Sequence, residues 1–352
     1  MLFLKIMLNR LPMQTLSRSG ALLSILAIAS CSEPSIQKFE GLAQGTSYHI
    51  SFWSKTPIDT QTIKNLVETD FAAIDKLLSN YRKDSTIENF NSLETTDSQE
   101  VGTEIVDLVN IANTVHQASQ GCYDLTIKPL FDLWGFRGDT LNIPDQSAVQ
   151  TGLSKVGMSK LEIVDATHLR KKQADLKVDL GSIAQGYSVE RISKILEQQG
   201  IQHYLVEIGG ELKTLGHKPD TKAWRIAIEK PLPETQQTIH KIISLPKDTP
   251  MAVMTSGTYR HYFDKDGQVY SHILDARTGR PVNHKLVSTT VMHPNPTVAD
   301  AWSTALLCLG PEAGLKAANE HQLNALFIEQ QGQQLIETKS ETLLAVHEFI
   351  IN

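Results

Sequence analysis

The sequence predicts an α+β protein in which helices and short strands follow one another without regular alternation. Long amphipathic helical segments lie in the first third of the chain, whereas short β-rich segments occupy most of the rest. Strands and helices do not alternate strictly, which argues against a doubly wound parallel sheet. We find no internal repeat and no low-complexity stretch in the 352 residues, a length that is sufficient for a large core.

Two segments carry the apolar stripe of an amphipathic helix. From Thr60 to Leu78, and again from Thr103 to Ala118, apolar residues recur at spacings of three and four. Such a stripe places one face of a helix against a core. Two further helices are expected at about Gly186–Gln198 and Val298–Leu309.

Strands are predicted where apolar and polar residues alternate, or where β-branched and aromatic residues cluster. Tyr48, Ile50 and Phe52 alternate with polar residues, as in a half-buried strand. Further strands are expected at Leu176–Leu180, Tyr204–Ile208, Trp224–Ile228, Met251–Thr255, Val269–Leu274 and Leu286–Met292. Turn residues such as those from Asp264 to Gly267 separate several of these segments.

The first 30 residues have the pattern of an export signal. Basic residues precede an apolar run from Ala21 to Ala29, which is too short to span a bilayer as a helix. The run ends in small residues followed at once by Cys31, an arrangement that looks like a bacterial lipobox. We therefore expect residues 1–30 to be a signal peptide, Cys31 to carry the lipid, residues 31–40 to form a polar tether and residues 41–345 to form the folded domain. The alternative is an ordinary signal peptide followed by an incidental cysteine.

Charge and cysteine content narrow the possible functions. A formal charge of −6 and a pI near 6.1 provide no basic surface for nucleic acid, so nucleic acid is not an expected partner. Apart from Cys31, the cysteines are Cys122 and Cys308, which are far apart in sequence and have apolar neighbours. They could form a disulfide in an oxidising compartment, but we expect two buried free thiols. No Cys/His cluster has the spacing of a zinc site.

Two kinds of segment could receive a phosphate or a flat ring. Glycines at Gly41–Thr46 and Gly209-Gly210 allow close backbone approach and expose N–H groups, although most such glycines only form turns. The segment Ser79–Ser85 directly follows the first predicted helix. Its Tyr81 can stack on a flat ring and its Ser and Arg side chains can contact phosphate. The alternative is a solvated helix end with a capping role.

Oxygen-bearing side chains form two candidate cation sites. In the segment Asp179–Tyr187, an acidic residue ends a predicted strand and small residues lead into a helix, an arrangement that suits Mg²⁺. The alternative there is a helix cap by Asp179 or Ser182. Asp300 and Thr304 lie four residues apart on a predicted helix, so their oxygens share one face. The alternative is a polar helix surface, but the neighbours are apolar, and a carboxylate in apolar surroundings needs a partner.

Taken in chain order, these segments resemble the ApbE family, the FAD:protein FMN transferases. The matching segments are Gln44–Tyr48, Ser79–Ser85, Phe90-Asn91, Gly121–Asp124 with Trp134–Phe136, Asp179–Tyr187, Ile208–Glu211, Thr255–Gly257, His272–Pro281 and Ala299–Ala305. Together they span roughly residues 38 to 330. Each motif alone is weak, whereas nine in one order are specific.

The resemblance implies a T-fold-like α+β enzyme with mixed or antiparallel sheets that binds FAD in a cleft with Mg²⁺ at the pyrophosphate. A threonine or serine hydroxyl of an acceptor protein attacks the FMN phosphorus, AMP leaves, and FMN remains in phosphoester linkage. The resemblance implies FAD contacts at Gln44, Tyr81, Cys122, Tyr123, Asp124, Asp179, Gln185 and Ile273. It implies metal ligands at Ser182, Asp300 and Thr304, with Ser182 contributing its backbone oxygen.

His272 is the best candidate for the base that accepts the acceptor's proton, with Asp275 as its helper. Imidazole has the unperturbed pKa best suited to proton transfer near neutral pH. The alternative is a core histidine bonded to backbone, since twelve histidines are scattered through the chain.

The chain also departs from the family pattern. Many relatives have Met in place of Gln44, Lys or Glu in place of Gln185, a small Ala or Ser in place of Cys122, and Asp in place of Glu190. These differences concern the details of FAD binding and not the reaction. No acceptor-like Asp-Gly-x-Ser/Thr-Gly-Ala-Thr segment is present, so self-flavinylation is not expected.

The expected partner is an acceptor flavoprotein, a subunit of a membrane redox complex. The expected location is the periplasmic side of a bacterial membrane, with the inner membrane favoured and the protein held by its lipid. Two other functions use similar contacts: a non-catalytic flavin-binding lipoprotein, and an FAD pyrophosphatase that uses water in place of the acceptor hydroxyl. The metal pair Asp300 and Thr304 argues against mere flavin storage.

Overall fold

The computed structural model describes residues 34–138, 140–232, 238–346 and 350–351. The expected signal peptide and Cys31 lie outside these residues. From Pro34 onward the described chain belongs to one unit. No helix among the described residues is both long and apolar enough to cross a membrane.

The helices have the following bounds. They are α1 Thr60–Leu78, α2 Thr86–Ser92, α3 Thr103–Ala118, α4 Lys128–Trp134, α5 Gln146–Leu153, α6 Ala184–Gln198, α7 Pro296–Leu309, α8 Pro311–Glu320 and α9 Glu341–Ala345. A 3-10 helix at Met158–Lys160 follows α5.

The strands are mostly short. They are β1 Gln37–Ala43, β2 Thr46–Trp53, β3 Ser98–Glu100, β4 Leu161–Ile163, β5 His168–Lys171, β6 His203–Ile208, β7 Glu211–Leu215, β8 Arg225–Glu229, β9 Ile239–Ser244, β10 Met251–Gly257, β11 Tyr262–Lys265, β12 Gln268–Ser271, β13 Leu274–Asp275, β14 Arg280–Pro281, β15 Leu286–His293, β16 Asn324–Gln331, β17 Gln334–Lys339 and β18 Ile350–Ile351.

An eight-stranded sheet organises the fold, with strand order β1-β2-β6-β7-β10-β15-β16-β17. Every neighbouring pair in it is antiparallel. The smaller sheets are β18-β9-β8, β3-β5-β4, β11-β12 and β13-β14. The predicted α+β class with antiparallel sheets is therefore confirmed.

Strand β10 shows how the two faces of the large sheet are covered. Successive side chains of a strand point to opposite faces. Ala252 and Met254 join the large core formed with the helices, whereas Met251 and Val253 join a second core beneath the β18-β9-β8 sheet. Helix α7 packs directly on β10 and β15 and also against α6. The sheet thus holds α7 in the middle of the protein.

The amphipathic stripes located the helices well. The helices predicted at Thr60–Leu78 and Thr103–Ala118 are confirmed at those bounds. The two later helices begin two residues before the predicted positions, at Ala184 and Pro296. Helix α7 starts there because the Asn295 side chain accepts a hydrogen bond from Val298 N.

The strand predicted at Leu176–Leu180 is wrong, because side chains replace a neighbouring strand. Val178 N donates to Asn91 Oδ1 at 2.7 Å, and Leu180 N donates to Asn80 Oδ1 at 2.8 Å. Val178 O accepts from the amide groups of both Asn80 and Asn91. Two asparagines therefore satisfy the backbone of this extended segment, and Asp179 lies between their bonds.

Two other expectations need correction. The strand predicted at Val269–Leu274 is interrupted, because β12 ends at Ser271 and Ser271 Oγ accepts from Ile273 N at 3.1 Å before β13 begins. The interruption places His272 between two small sheets. The expected tether 31–40 is also too long, since β1 begins at Gln37 and pairs along β2.

The expectation of two free thiols is wrong as well. Cys122 and Cys308 form a disulfide across a sequence separation of 186 residues. Both are buried, and the bond joins the segment after α3 to the last turn of α7. Sequence distance alone concealed the pair, because the sheet and α7 bring the two segments together.

Candidate functional site

A cavity of about 330 Å³ lies along one face of α7 and is of the size that binds small molecules. Of the expected site residues, those that line it are Tyr81, Cys122, Tyr123, Asp124, Asp179, Ser182, Gln185, His272, Ile273, Asp300 and Thr304. The cavity thus brings together residues from both ends of the sequence.

The segment from Cys122 to Asp124 forms one wall. Its disulfide fixes it to α7, and Tyr123 Oη lies 3.1 Å from Ser182 Oγ. Burial raises the pKa of Tyr123 far above its usual range, so the phenol remains neutral. The Asp124 carboxylate accepts from Thr126 N at 2.7 Å and Met158 N at 3.0 Å. Asp124 therefore shapes the loop as well as lining the cavity.

The turn before α6 forms a second wall. Asp179 Oδ1 accepts from Gly181 N at 2.8 Å, which tightens the turn, and Asp179 N donates to Leu125 O at 2.6 Å. Gln185 Nε2 donates to Ile208 O at 2.5 Å, which ties the start of α6 to the end of β6. The side-chain amide nitrogen of Gln185 is thus already engaged in a hydrogen bond within the protein.

Asp300 lies where α7 passes closest to α6. Its carboxylate accepts from Gly186 N at 2.7 Å and is almost completely buried. A Cβ at position 186 would lie 2.5 Å from Pro296 O and 2.6 Å from Asp300 Cβ, so only glycine fits between the helices. Burial raises the pKa of Asp300 above its ordinary value.

Three hydroxyls connect α7 to β10 beside Asp300. Ser256 Oγ lies 2.7 Å from Ser303 Oγ and 3.0 Å from Thr304 Oγ1. Ser303 Oγ in turn donates to Asp300 O at 2.9 Å. The expected pairing of Asp300 and Thr304 on one helix face thus occurs in a fixed polar network. Ser256 belongs to the segment Thr255–Gly257 noted in the sequence, and it lines the cavity although no role was predicted for it.

Glu211 is a second buried carboxylate in the cavity, and the sequence reasoning missed it. Both of its oxygens lie 3.2 Å from Thr255 N. Burial and the negative charge of Asp300 raise its pKa well above the ordinary value, and the Arg260 guanidinium opposes that rise. In the sequence, the pair Gly209-Gly210 indicated only a backbone turn. The carboxylate that follows this pair, however, lines the cavity.

The donor set around Asp300 suits a hard divalent cation. Ser182, Thr304, Asp300 and Glu211 line the cavity and provide only oxygen ligands, the type that Mg²⁺ prefers. In the part of the chain that the structure describes, neither carboxylate has a cationic side chain within 4.0 Å. Two neighbouring buried carboxylates are costly unless positive charge compensates them, which a bound cation would supply.

His272 has a defined tautomer at the cavity wall. Its Nδ1 lies 2.8 Å from His261 O, and because a carbonyl only accepts, Nδ1 carries the hydrogen. Nε2 of the neutral ring therefore holds a free lone pair. Burial lowers the pKa of His272 to about 4, so the ring is neutral at physiological pH.

The mouth of the cavity consists of turns. Tyr81 is 85% exposed there, and the Arg137 guanidinium lies 5.5 Å from the centre of its ring. Arg137 also forms an ion pair with Asp179. On the opposite side, Arg260 Nη1 donates to Gly209 O at 3.2 Å. The sequence reasoning assigned no role to either arginine, and only their tertiary positions reveal one.

Two expected site residues do not line the cavity. Gln44 is exposed in the turn between β1 and β2, where its φ of 53° lies in the left-handed region. Asp275 is paired with Arg277 through Nε at 2.9 Å and Nη2 at 2.8 Å. The described residues show no contact between Asp275 and His272, because the Asp275 side chain faces this arginine.

The chain is similar to known proteins both in sequence and in structure. The model of the ApbE family matches residues 44–327. FAD:protein FMN transferase of Vibrio cholerae serotype O1 is 37% identical over 314 residues, which cover 88% of this chain and 92% of that protein. The protein of the same name from Escherichia coli K12 is 33% identical over 298 residues, covering 83% and 84% of the two chains.

Solved structures show the same similarity. The flavin transferase ApbE from Vibrio cholerae superposes with a TM-score of 0.80 at 33% identity, covering 88% of this chain and 99% of that one. The apo form of the flavinyl transferase ApbE from Pseudomonas stutzeri superposes with a TM-score of 0.79 at 36% identity, covering 88% and 96%.

Proposed function

The chain belongs to the ApbE family, and on that basis we propose that it transfers the FMN half of FAD to a hydroxyl of an acceptor protein. The observation that carries this proposal is the single cavity in which His272 and the oxygens of Ser182, Asp300 and Thr304 meet. These are the groups that phosphoryl transfer requires: a proton acceptor, and ligands for a cation beside the phosphates.

The proposed reaction replaces the phosphoanhydride bond between FMN and AMP with a phosphoester bond to the acceptor. A threonine or serine hydroxyl of the acceptor forms a bond to the FMN phosphorus, and the bond from that phosphorus to the AMP oxygen breaks. The hydroxyl proton passes to His272 Nε2, and AMP leaves with the bonding electron pair. Holding the three reacting groups in line supplies much of the rate enhancement.

His272 fits the proton-accepting role because its Nδ1 is already committed to His261 O. The backbone contact holds the imidazole plane and leaves Nε2 as the only basic nitrogen. The pKa of about 4 belongs to the cavity without FAD. Binding of the anionic diphosphate would raise it toward neutrality, since a nearby negative charge favours the protonated ring.

Asp300, Thr304 and Ser182 are the proposed Mg²⁺ ligands. When bound, Mg²⁺ would supply positive charge opposite the diphosphate and the departing AMP oxygen. Asp300 is held by Gly186 N through one oxygen, Oδ2. Thr304 is oriented by Ser256, and Ser182 by Tyr123. Each proposed ligand is thus positioned by a neighbour that keeps its oxygen in place.

We further propose that the enzyme is exported and attached to the membrane by a lipid on Cys31. The disulfide between Cys122 and Cys308 supports export, because disulfides form and persist mainly in oxidising compartments. The acceptor would then be a flavin-carrying subunit of a redox complex on the periplasmic side, at the inner membrane. Fatty-acid labelling that persists in Cys31→Ser would contradict the anchor.

One experiment separates transfer from the two alternative functions. The purified domain is incubated with FAD and Mg²⁺, with and without an acceptor that carries a threonine, and AMP and protein-bound flavin are measured. We expect AMP in proportion to acceptor-bound FMN, and none of either with EDTA. Free FMN and AMP formed without acceptor would indicate a pyrophosphatase, and FAD binding without AMP would indicate a carrier.

A further inference from the structure

Arg137 occupies a turn whose shape is fixed on both sides. Gly135 ends α4 with a φ of 81°, and a Cβ there would lie 1.8 Å from Thr140 O, so the turn requires glycine. Phe136 packs against Phe263 with ring centres 5.1 Å apart. The backbone that carries Arg137 is therefore held in position without any help from its side chain.

The Arg137 side chain joins three separate segments at the mouth of the cavity. Nη2 pairs with the carboxylate of Asp179 in the turn before α6. Nη1 donates to Asn80 O at 3.1 Å, in the turn after α1. The guanidinium also lies 5.5 Å from the centre of the Tyr81 ring, a cation–π distance. A planar cation with several donors can make these three contacts at once.

The Tyr81 ring contacts this arginine. Its ring is exposed and, in the described structure, its ring contact is with the Arg137 guanidinium. Asp179 and Arg137 are both largely removed from solvent, and their side chains are 11% and 19% exposed. Such a pair persists only where good geometry offsets the loss of hydration.

One donor of Arg137 has no acceptor. Its Nε is buried and lacks a hydrogen-bond partner in the described residues. The nearest carboxylate oxygen, Oδ1 of Asp132, lies 3.4 Å away without hydrogen-bond geometry. The Nε atom is therefore enclosed by the protein beside Asp132, and the charge of Arg137 is shared between the Asp132 and Asp179 carboxylates.

We propose that Arg137 is a positioning and binding residue for FAD. It holds the Tyr81 ring and the Asp179 carboxylate in the arrangement that receives the cofactor, and its positive charge lies at the cavity that would receive the anionic diphosphate. The inference rests on the proposed function for the identity of the ligand. Arg137 thus contributes to FAD binding, whereas the bond-making step depends on the other cavity residues named above.

The test measures FAD affinity separately from transfer. Arg137→Gln and Arg137→Lys are titrated with FAD by flavin fluorescence in EDTA, without acceptor. We expect Arg137→Gln to weaken binding roughly tenfold to a hundredfold, the worth of charge-assisted hydrogen bonds. Arg137→Lys should recover part of the affinity, since a point charge cannot contact all three segments. The single-turnover transfer rate at saturating FAD should fall by a much smaller factor than the affinity.

A double variant tests whether the residue acts through Tyr81. If Arg137 positions that ring, Arg137→Gln combined with Tyr81→Leu should bind FAD more tightly than the product of the two single losses predicts. Arg170→Gln is the matched control, because Arg170 pairs with Glu162 at 3.4 Å and does not line the cavity. Thermal unfolding of every variant shows whether the fold is retained.

Three outcomes would overturn the proposal. They are an unchanged affinity in Arg137→Gln, a tighter one, which would mean that the arginine blocks the mouth, and strict additivity with Tyr81→Leu. If Arg137→Gln does not fold, the comparison rests on Arg137→Lys. Failure of the wild-type protein to flavinylate any acceptor would instead refute the proposed function and leave the binding comparison intact.

Discussion

The inner wall of the cavity and its mouth are built in opposite ways. We call Ser182, Glu211, Ser256, Asp300 and Thr304 the inner wall. Asp300, Thr304, Ser256 and Glu211 lie on α7, β10 and β7 within the large core, and their oxygens contact backbone N–H groups or other hydroxyls. Sites held by rigid elements keep the precise distances that bond-making requires.

The mouth lies on turns outside the main sheet. Tyr81, Arg137 and Arg260 reach it from three loops, and one of them, Tyr81, is 85% exposed. Loops positioned by a scaffold commonly carry recognition, because they tolerate change. Substitutions in the inner wall should therefore alter the transfer rate, whereas substitutions at the mouth should alter the affinity for FAD.

The largest effect is expected from Asp300→Asn. The amide keeps the shape of the side chain and can still accept from Gly186 N, but it is a poor ligand for a cation. We expect Mg²⁺-dependent transfer to fall below detection while FAD affinity in EDTA changes little. The measurements are AMP release and FAD titration on the same preparation. Turnover close to that of the wild type would remove Asp300 from the proposed cation site.

Thr304→Val serves as a graded comparison for that result. Valine has a volume similar to that of threonine but lacks the hydroxyl. A neutral hydroxyl stabilises a cation less strongly than a carboxylate does. We therefore expect a smaller loss of transfer than in Asp300→Asn. Equal losses in the two variants would mean that the network through Ser256, and not cation binding, limits the rate.

A somewhat smaller effect is expected from His272→Gln. Removal of a general base costs roughly 10²–10⁴-fold in rate, so single-turnover flavinylation should slow by that factor. FAD affinity should change little, because the base acts on the acceptor hydroxyl. Loss of FAD binding together with thermal stability would assign His272 to the core instead.

The same residue predicts a pH dependence of stability in the protein without FAD. Burial lowers the pKa of His272 from 6.5 to about 4, so between these values the unfolded chain binds more protons than the native one. This contribution to stability is fully present above pH 6.5 and is lost as the pH falls toward 4, by about 3 kcal/mol in total. Urea unfolding from pH 7 to pH 4 should show a shallower fall for His272→Gln than for the wild type.

At the mouth, Tyr81→Leu should weaken FAD binding roughly tenfold, the value of one aromatic stacking contact. The single-turnover rate at saturating FAD should change much less. A large loss of rate at saturating FAD would show that the mouth contributes to the rate as well as to the affinity.

The smallest effect is expected from Gln44→Ala. The Gln44 side chain is exposed and does not line the cavity, so FAD affinity should stay within roughly twofold of the wild type, as for most surface substitutions. FAD titration measures this directly. A clear loss would show that the β1–β2 turn reaches the bound cofactor after all.

The spacing of residues along the chain was enough to predict the helices and the side chains that share a helix face. The apolar stripe of Thr60–Leu78 gave α1 at its observed bounds, and the four-residue spacing placed Asp300 and Thr304 on one helix face. Both features depend only on the 3.6-residue helical period.

The rest depended on contacts between distant segments. The extended segment Leu176–Leu180 is satisfied by two asparagine side chains, which no strand pattern reveals. Cys122 and Cys308 meet only because the sheet and α7 bring their segments together. Arg137 directly follows the Trp134–Phe136 segment noted in the sequence, but its proposed role depends on the positions of Tyr81 and Asp179, which only the fold reveals.

The disulfide has a consequence for the order in which the cavity is completed. Its second half, Cys308, leaves the ribosome 186 residues after Cys122, so the covalent ring closes only when nearly the whole chain has been made. Before closure, the α7 end and the Cys122 segment are held together by packing alone. In a chain-entropy description, a ring of this size restricts the unfolded ensemble by up to about 5 kcal/mol. A newly made, reduced chain would therefore carry every residue of the site and still lack the part of its stability that the disulfide adds.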